Sequence, residues 1–380
     1  MKIAYLKRTR CNSGGTEKVV FNKTNYLLGK GYDVTLITTE FKDKPDFFPF
    51  SDRLKRVDLD INYSELKSKP FYLKLLLYPL KSALHKRRLR QVLLEEKFDI
   101  VVSMFGNEVY WINNTKDGSK KINEVHFARN FRKQLNDGSL SAIQNIISAI
   151  KNFKDLKAIR QFDLFAVLSN EDKPEWGELP NIRTMYNSVT IPAVASHLTR
   201  KRAIAVGRLA YQKGFDMLID AWSIIHRDHP DWRLDIYGAG DDRELQQQID
   251  TLWLGDVVKI NPPTPEIYNE ILDSSLYLMT SRYEGLPMVL LEANACGVPA
   301  VSFDCKCGPR DIIEDGKSGY LVSQGDIESF AKRVCEVIEC DALRETMGAR
   351  AREIIYEKFS EEVVMKQWEE LFKKLINKEI

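Results

Sequence analysis

The sequence predicts an α/β protein made of two doubly wound parallel-sheet domains with a cleft between them. Three observations carry that expectation. The chain has 380 residues, too long for one ordinary core and about right for two. Short β-rich runs alternate with helical runs, the pattern of parallel strands joined by crossover helices. The alternation restarts after Asn187-Ser188-Val189, which sets a boundary near 188–200.

Taken in order, residues 2–6 read as a first buried strand and 16–28 as a helix with Val19, Val20, Tyr26 and Leu27 on its apolar side. Residues 32–38 read as a strand and 81–96 as a basic helical stretch, with Pro70 and Pro79 expected to break any longer helix. Strands are expected at 99–103, 121–126, 163–169 and 182–186. The second half opens with a strand at 203–206. Helices follow at 215–228, 243–253, 265–273 and 288–296, alternating with strands at 233–237, 257–260, 276–279 and 300–303. Asp326 can cap a helix with Ile327, Phe330, Val334 and Val337 on one face. The domains are therefore expected at 1–188 and 189–360, with a final helix in 361–380 packing back toward the first.

Hydrophobic residues make up 44% of the chain and charged residues 29%, which excludes a disordered, collagenous or membrane-bundle protein. Lys7, Arg8 and Arg10 follow the first apolar run at once, so it reads as a strand rather than a secretory leader. The expected location is cytoplasmic, with the six cysteines reduced. The net charge of +2 hides an asymmetry: residues 1–190 carry an excess of 11 cations, and residues 191–380 an excess of 9 acids. Eight of the cations lie between Leu66 and Arg90, with no acid, among Phe71, Tyr72, Leu73, Leu75, Leu76, Leu77, Tyr78 and Leu80. Residues 66–90 read as a peripheral contact with an anionic membrane surface; the plainer alternative buries the apolar members in the domain core. No nucleic-acid module accompanies the basic charge.

The chemistry-bearing residues sit in loops that follow buried strands and precede helices, where an open α/β sheet binds its ligands. In 207–214, Gly207 and Gly214 let backbone approach a ligand. Arg208 and Lys213 add two cations beside a helix N-terminus, a combination that suits a diphosphate. In 284–292, Gly285 and Pro287 force a turn that leaves the amides of Met288 and Val289 free to bind oxygens. Glu284 can meet hexose hydroxyls, and Glu292, further along the helix, can accept two hydroxyl hydrogen bonds. A helix-start charge plus a solvated glutamate is the plainer reading of the two acids. The Cys305-Lys306-Cys307 run has no second Cys/His pair at metal spacing, so no metal is expected. Gly238 opens a weak Gly-x-Gly after a strand. In the first half, Gly14 and Gly15 place backbone amides at the start of a helix, and His126 stands at a strand's carboxyl end.

Together these residues resemble glycosyltransferase family 4, retaining enzymes of the GT-B architecture with two Rossmann-like domains. Gly207-Arg208-Leu209 with Gln212-Lys213-Gly214 carries the resemblance. So does Ser281-Arg282-Tyr283-Glu284-Gly285-Leu286-Pro287, continued by Glu292-Ala293-Asn294-Ala295-Cys296-Gly297-Val298-Pro299. Ser13-Gly14-Gly15-Thr16-Glu17 extends it into the first half. Ser302-Phe303-Asp304-Cys305, Gly308-Pro309 and Asn187 resemble bacterial surface-polysaccharide members. The resemblance implies that Arg208 and Lys213 hold the donor diphosphate, Glu284 orients the donor sugar, Glu292 grips the ribose, and His126 faces the sugar. Gly14, Gly15, Gly207, Gly238, Gly285, Leu286, Met288 and Val289 complete the implied donor site. The implied reaction moves a hexosyl unit from a UDP-sugar, with retention and no metal cofactor, to a saccharide or lipid-linked saccharide. Two alternatives stay open: a binding protein that senses nucleotide sugar without catalysis, and a sugar-nucleotide epimerase of the same fold.

Overall fold

The computed structural model describes residues 1–11, 14–40, 44–129 and 142–379. The first sheet has seven strands in the order β3-β2-β1-β4-β5-β6-β7. They are β1 (Lys2–Lys7), β2 (Asp33–Thr38), β3 (Lys55–Asp58), β4 (Ile100–Ser103), β5 (Lys120–Glu124), β6 (Leu164–Val167) and β7 (Ile182–Thr184). The second has six, β10-β9-β8-β11-β12-β13. They are β8 (Arg202–Val206), β9 (Arg233–Tyr237), β10 (Val258–Asn261), β11 (Leu276–Met279), β12 (Ala300–Phe303) and β13 (Gly319–Val322). Every pairing is parallel. Both sheets reverse direction once, at β1/β4 and at β8/β11, and each reversal opens a crevice at the carboxyl strand ends. Two Rossmann-like domains result, as the sequence predicts.

The helices are α1 (Gly15–Gly29), α2 (Phe71–Glu96), α3 (Ala142–Ile159), α4 (Phe215–Asp228), α5 (Arg243–Thr251) and α6 (Ile267–Leu272). After them come α7 (Met288–Ala295), α8 (Pro309–Ile312), α9 (Ile327–Glu339), α10 (Asp341–Ile354) and α11 (Glu361–Ile376). Asp326 caps α9 through Ser329 N at 3.0 Å, and Phe330, Val334 and Val337 are buried.

Three expectations change. α2 begins at Phe71 and runs through Pro79 instead of breaking there. The proline removes one amide bond and crowds the carbonyl one turn back, that of Leu75. Both residues lie on the exposed face, where water can serve that carbonyl. The plainer reading of 66–90 also fails, because Phe71, Tyr72, Leu75, Leu76, Tyr78 and Leu80 are exposed and absent from the core. The strand predicted at 121–126 ends at Glu124, so His126 stands two residues past it. The edge strands β3 and β13 lack a clear period in the sequence and are defined by the strands beside them; helix α3, not among the predicted elements, does carry apolar residues at helical spacing, Ile143, Ile147 and Ile150 among them.

The chain crosses between domains twice, and the crossings pair with each other. Val189 N donates to Phe359 O at 3.0 Å, and a parallel bridge joins Val189 to Ser360. Between them α10 continues into a π-turn, Ile355–Phe359. Ser360 then caps α11, which returns to the first domain. Val364, Met365, Trp368, Phe372 and Leu375 pack there with Ile3, Tyr5, Val20 and Leu27 in one core. Five apolar side chains buried this way contribute on the order of 10 kcal/mol before ordering entropy is subtracted. The last helix is thus structurally part of the first domain.

Candidate active site

The loop after β8 and the loop after β11 belong to neighbouring strands at the switch point, which is why 207–214 and 280–287 meet. Lys213 Nζ lies 2.6 Å from Glu284 Oε1, and Ser281 Oγ donates to the same oxygen at 2.7 Å. Arg208 Nη2 donates to Gln212 Oε1 at 2.9 Å, and Gln212 Nε2 donates to Tyr283 O at 3.0 Å. Each cation is therefore held by a side chain of these two loops, Arg208 by Gln212 of its own loop and Lys213 by Glu284 of the neighbouring one. Gly207 lies under the Lys213 side chain: a Cβ there would stand 2.9 Å from it, so the lysine would have to shift.

Across the cleft, the first domain offers the start of α1 and the segment after β5. The His126 side chain is 7% exposed, with Nε2 3.1 Å from Glu124 Oε1. Glu124 pairs in turn with the fully buried Lys23, whose Nζ lies 4.1 Å from the Trp368 ring centre. Burial alone would raise the Glu124 carboxyl, but Lys23 and then His126 outweigh it and hold it below its ordinary value. Burial lowers His126, assisted by Lys23 and Lys7 and opposed by Glu124. The lowered pKa favours the neutral imidazole, which can donate or accept a hydrogen bond without bringing a charge.

A cavity of about 290 Å³ joins the two sides. Gly15, His126, Arg208, Lys213, Glu284, Leu286, Met288 and Val289 line it, and all were singled out by the sequence. Five predicted residues lie off its wall. Gly14 is the residue before α1, next to Gly15; Ser13 of the same turn falls outside the described residues. Gly207 lies under Lys213, as above. Gly285 faces the His126–Ala128 backbone of the other domain. Gly238 is a packing glycine: a Cβ would come within 1.9 Å of Gly207 O, so its place is the contact between the ends of β8 and β9. Glu292 is nearly buried, with Oε1 2.7 Å from Nζ of Lys18, on the first domain's α1. Lys18 Nζ also sits 5.1 Å from the Tyr268 ring centre.

Thr16, Leu168, Asn187, Gln212, Tyr277 and Pro287 complete the lining. Asn187 is quoted in the sequence motif but given no role there. It is 2% exposed, and among the described residues its Oδ1 accepts no hydrogen bond, so a ligand donor could serve it. Burial, then Glu284 and Glu292, push the Tyr277 phenol well up. Lys23 was missed although a signal existed. It stands between Val19 and Leu27 in the apolar stripe of α1, where a cation demands a buried acid. Cys305 and Cys307 are buried, and burial followed by Asp172 pushes the Cys307 thiol up to about 12. Cys307 Sγ lies 3.7 Å from Asp172 Oδ1 of the first domain, so this loop docks the domains together.

A second cavity, about 470 Å³, opens at the carboxyl ends of β1, β2 and β4 within the first domain. Arg8, Glu40, Tyr63, Lys67, Asn107 and Glu108 are among its lining. Burial raises the Glu108 carboxyl, against the hydroxyl of Ser103 that donates to it at 2.5 Å.

Known proteins can be set beside this geometry. Residues 190–354 match the family glycosyl transferases group 1. That stretch holds Arg208, Lys213, Glu284 and Glu292. An uncharacterized glycosyltransferase of Haemophilus influenzae is 27% identical over 97% of this chain and 98% of that protein. The lipopolysaccharide 1,6-galactosyltransferase of Salmonella typhimurium is 26% identical over 89% of this chain and 90% of its own length. Among solved structures, a mutant of S. aureus TarM in complex with fondaparinux, alpha-GlcNAc-glycerol and UDP superposes with a TM-score of 0.81. It is 18% identical, and the match covers 98% of this chain and all of that one. This likeness shows a shared GT-B fold. Among the described residues no helix is long and apolar enough to cross a membrane.

Proposed function

We propose that this chain is a group 1 glycosyltransferase that moves a hexosyl unit from a nucleotide diphosphate sugar, UDP-linked by preference, to a saccharide or lipid-linked saccharide, with retention and without a metal. The observation that carries the reading is the single cavity in which Arg208, Lys213, Glu284 and His126 converge from two domains. Arg208 and Lys213 would stabilise the charge that grows on the leaving diphosphate, aided by the Met288 and Val289 end of α7. Those cations supply the service a divalent ion gives elsewhere. Glu284, already fixed by Lys213 and Ser281, would orient the sugar hydroxyls, and His126 would meet the sugar from the other side. The leaving phosphate oxygen would take the acceptor proton as the new glycosidic bond forms and the old one breaks. Closing the cleft around the donor excludes water, the competing acceptor. The lipopolysaccharide galactosyltransferase among the relatives supports surface-polysaccharide synthesis as the setting. The larger cavity of the first domain suits the acceptor.

Glu292 would bind the ribose, and here Lys18 matters, because it holds Glu292 Oε1 at 2.7 Å in this structure. Ribose hydroxyls must displace that ammonium or share the carboxylate with it. Titration calorimetry with UDP tests the assignment. Glu292→Gln is expected to weaken UDP binding by about tenfold, the worth of one charge-assisted hydrogen bond. Lys18→Ala is expected to tighten it by about two- to fivefold, since a partly exposed ion pair is worth up to about 1 kcal/mol. Unchanged affinity in both variants would remove Glu292 from the donor site.

A further inference from the structure

We infer that the exposed face of α2 is a docking surface for an anionic lipid membrane, a property that goes beyond glycosyl transfer and does not depend on it. One stripe runs along the solvent side of the helix. Its first half is apolar: Tyr72, Leu75, Leu76, Pro79, Leu80 and Ala83. Its second half is cationic: Lys86, Arg87 and Arg90. These positions recur at three- and four-residue spacing, so they share one face. Phe71 precedes them at 75% exposed, and Leu75, Leu76 and Leu80 are each 62–64% exposed. An apolar patch this dense on a soluble domain marks an interaction site.

The opposite face is built as a mount. His85, Leu89 and Leu93 are buried, and the His85 ring meets Trp111 edge-on at 5.1 Å. Lys81 Nζ donates to Ile61 O at 2.5 Å and Asn62 O at 3.0 Å, and Arg88 Nη1 to Leu59 O at 2.5 Å and Asp60 O at 2.8 Å. Two of the eight cations read from the sequence therefore brace the helix, and Lys86, Arg87 and Arg90 stay on the open side. The apolar segment, ten residues from Phe71, is about 15 Å long and lies in the surface plane; it is half of what a bilayer core requires.

The absence of any acid from 66 to 90 selects the occupant. Leucines entering the acyl boundary beside cations at the headgroup level satisfy both halves of the stripe at once. A second copy of the chain would not. Two-fold pairing of this face would set the cations of each helix on the apolar half of the other, while Glu95, the exposed acid at the end of the same face, would lie beyond that apolar half. Tyr63, Lys67, His85 and Leu89, from α2 and the turn before it, also wall the cavity of the first domain, so docking would bring that cavity to the lipid surface.

Sedimentation with phosphatidylcholine vesicles of rising phosphatidylglycerol content tests the inference, with no donor present. Binding is expected to rise with anionic lipid and fall with salt. Joint replacement of Lys86, Arg87 and Arg90 by serine is expected to lower the partition coefficient by about a hundredfold on anionic vesicles, from about 1 kcal/mol per cation. Joint replacement of Leu75, Leu76 and Leu80 by serine should also cut binding, while leaving the melting temperature and UDP affinity unchanged. No binding at low ionic strength would overturn the inference. So would binding that both variants retain, or a dimer in analytical ultracentrifugation that the leucine variant dissolves. UDP binding is measured separately, so failure on vesicles and failure of the proposed reaction can be told apart.

Discussion

Alanine at Arg208 or at Lys213 is expected to lower turnover at saturating donor by at least about tenfold, near 1.4 kcal/mol of barrier. The two losses should differ. Arg208 is exposed and held by Gln212, so its removal takes away one cation near the diphosphate and little else. Lys213 also neutralises the nearly buried Glu284 at 2.6 Å. Lys213→Ala therefore removes a cation and leaves an anion beside a doubly charged leaving group. Its loss should approach about a hundredfold, the scale of one oxyanion-stabilising donor. Steady-state kinetics on both variants, checked for unchanged melting, would decide this. Near-normal kcat in both folded variants would remove the diphosphate assignment.

The largest effect on stability is expected from Lys23→Met. Lys23 and Glu124 are each at most 1% exposed, and removing one partner of such a pair leaves a charge in the interior without compensation. The cost should be about 3–5 kcal/mol at pH 7, a melting shift on the order of 10 °C. The gap should narrow on acidification, because a protonated Glu124 needs no cation. Adding Glu124→Leu should recover most of the stability, since an apolar pair of similar volume replaces the ions. Turnover should stay depressed in the double variant, because Glu124 also stands at His126 Nε2. Differential scanning calorimetry against kcat separates the two effects; a single variant that melts as the wild type does would contradict the first.

Much of the fold is written in local pattern. The strands at the centres of both sheets are continuous apolar runs, and β9, β11 and β12 begin and end where the sequence predicts. The edges are not legible, because a strand such as β3, with Lys55 and Arg56 exposed, exists through its neighbour rather than its own period. α2 runs through Pro79 against the sequence expectation because the proline lies on the solvent face, where water can serve the carbonyl it strands, and because the buried side of the helix is anchored by His85, Leu89 and Leu93. At the site, loops after strands gave Arg208, Lys213, Glu284 and His126 by position alone. Lys18 could not be found that way, since it is far from Glu292 in sequence and meets it only across the two domains. Gly238 was overread for the same reason: which glycine touches a ligand and which touches a neighbouring strand depends on the register between β8 and β9.

The central claim is most directly tested by proton NMR of a fresh reaction mixture containing the protein, a UDP-hexose and a saccharide acceptor, in excess EDTA. The account predicts release of UDP and a new glycosidic linkage whose anomeric configuration matches that of the donor. An inverted anomer, or activity abolished by EDTA and restored by Mn²⁺, would contradict it.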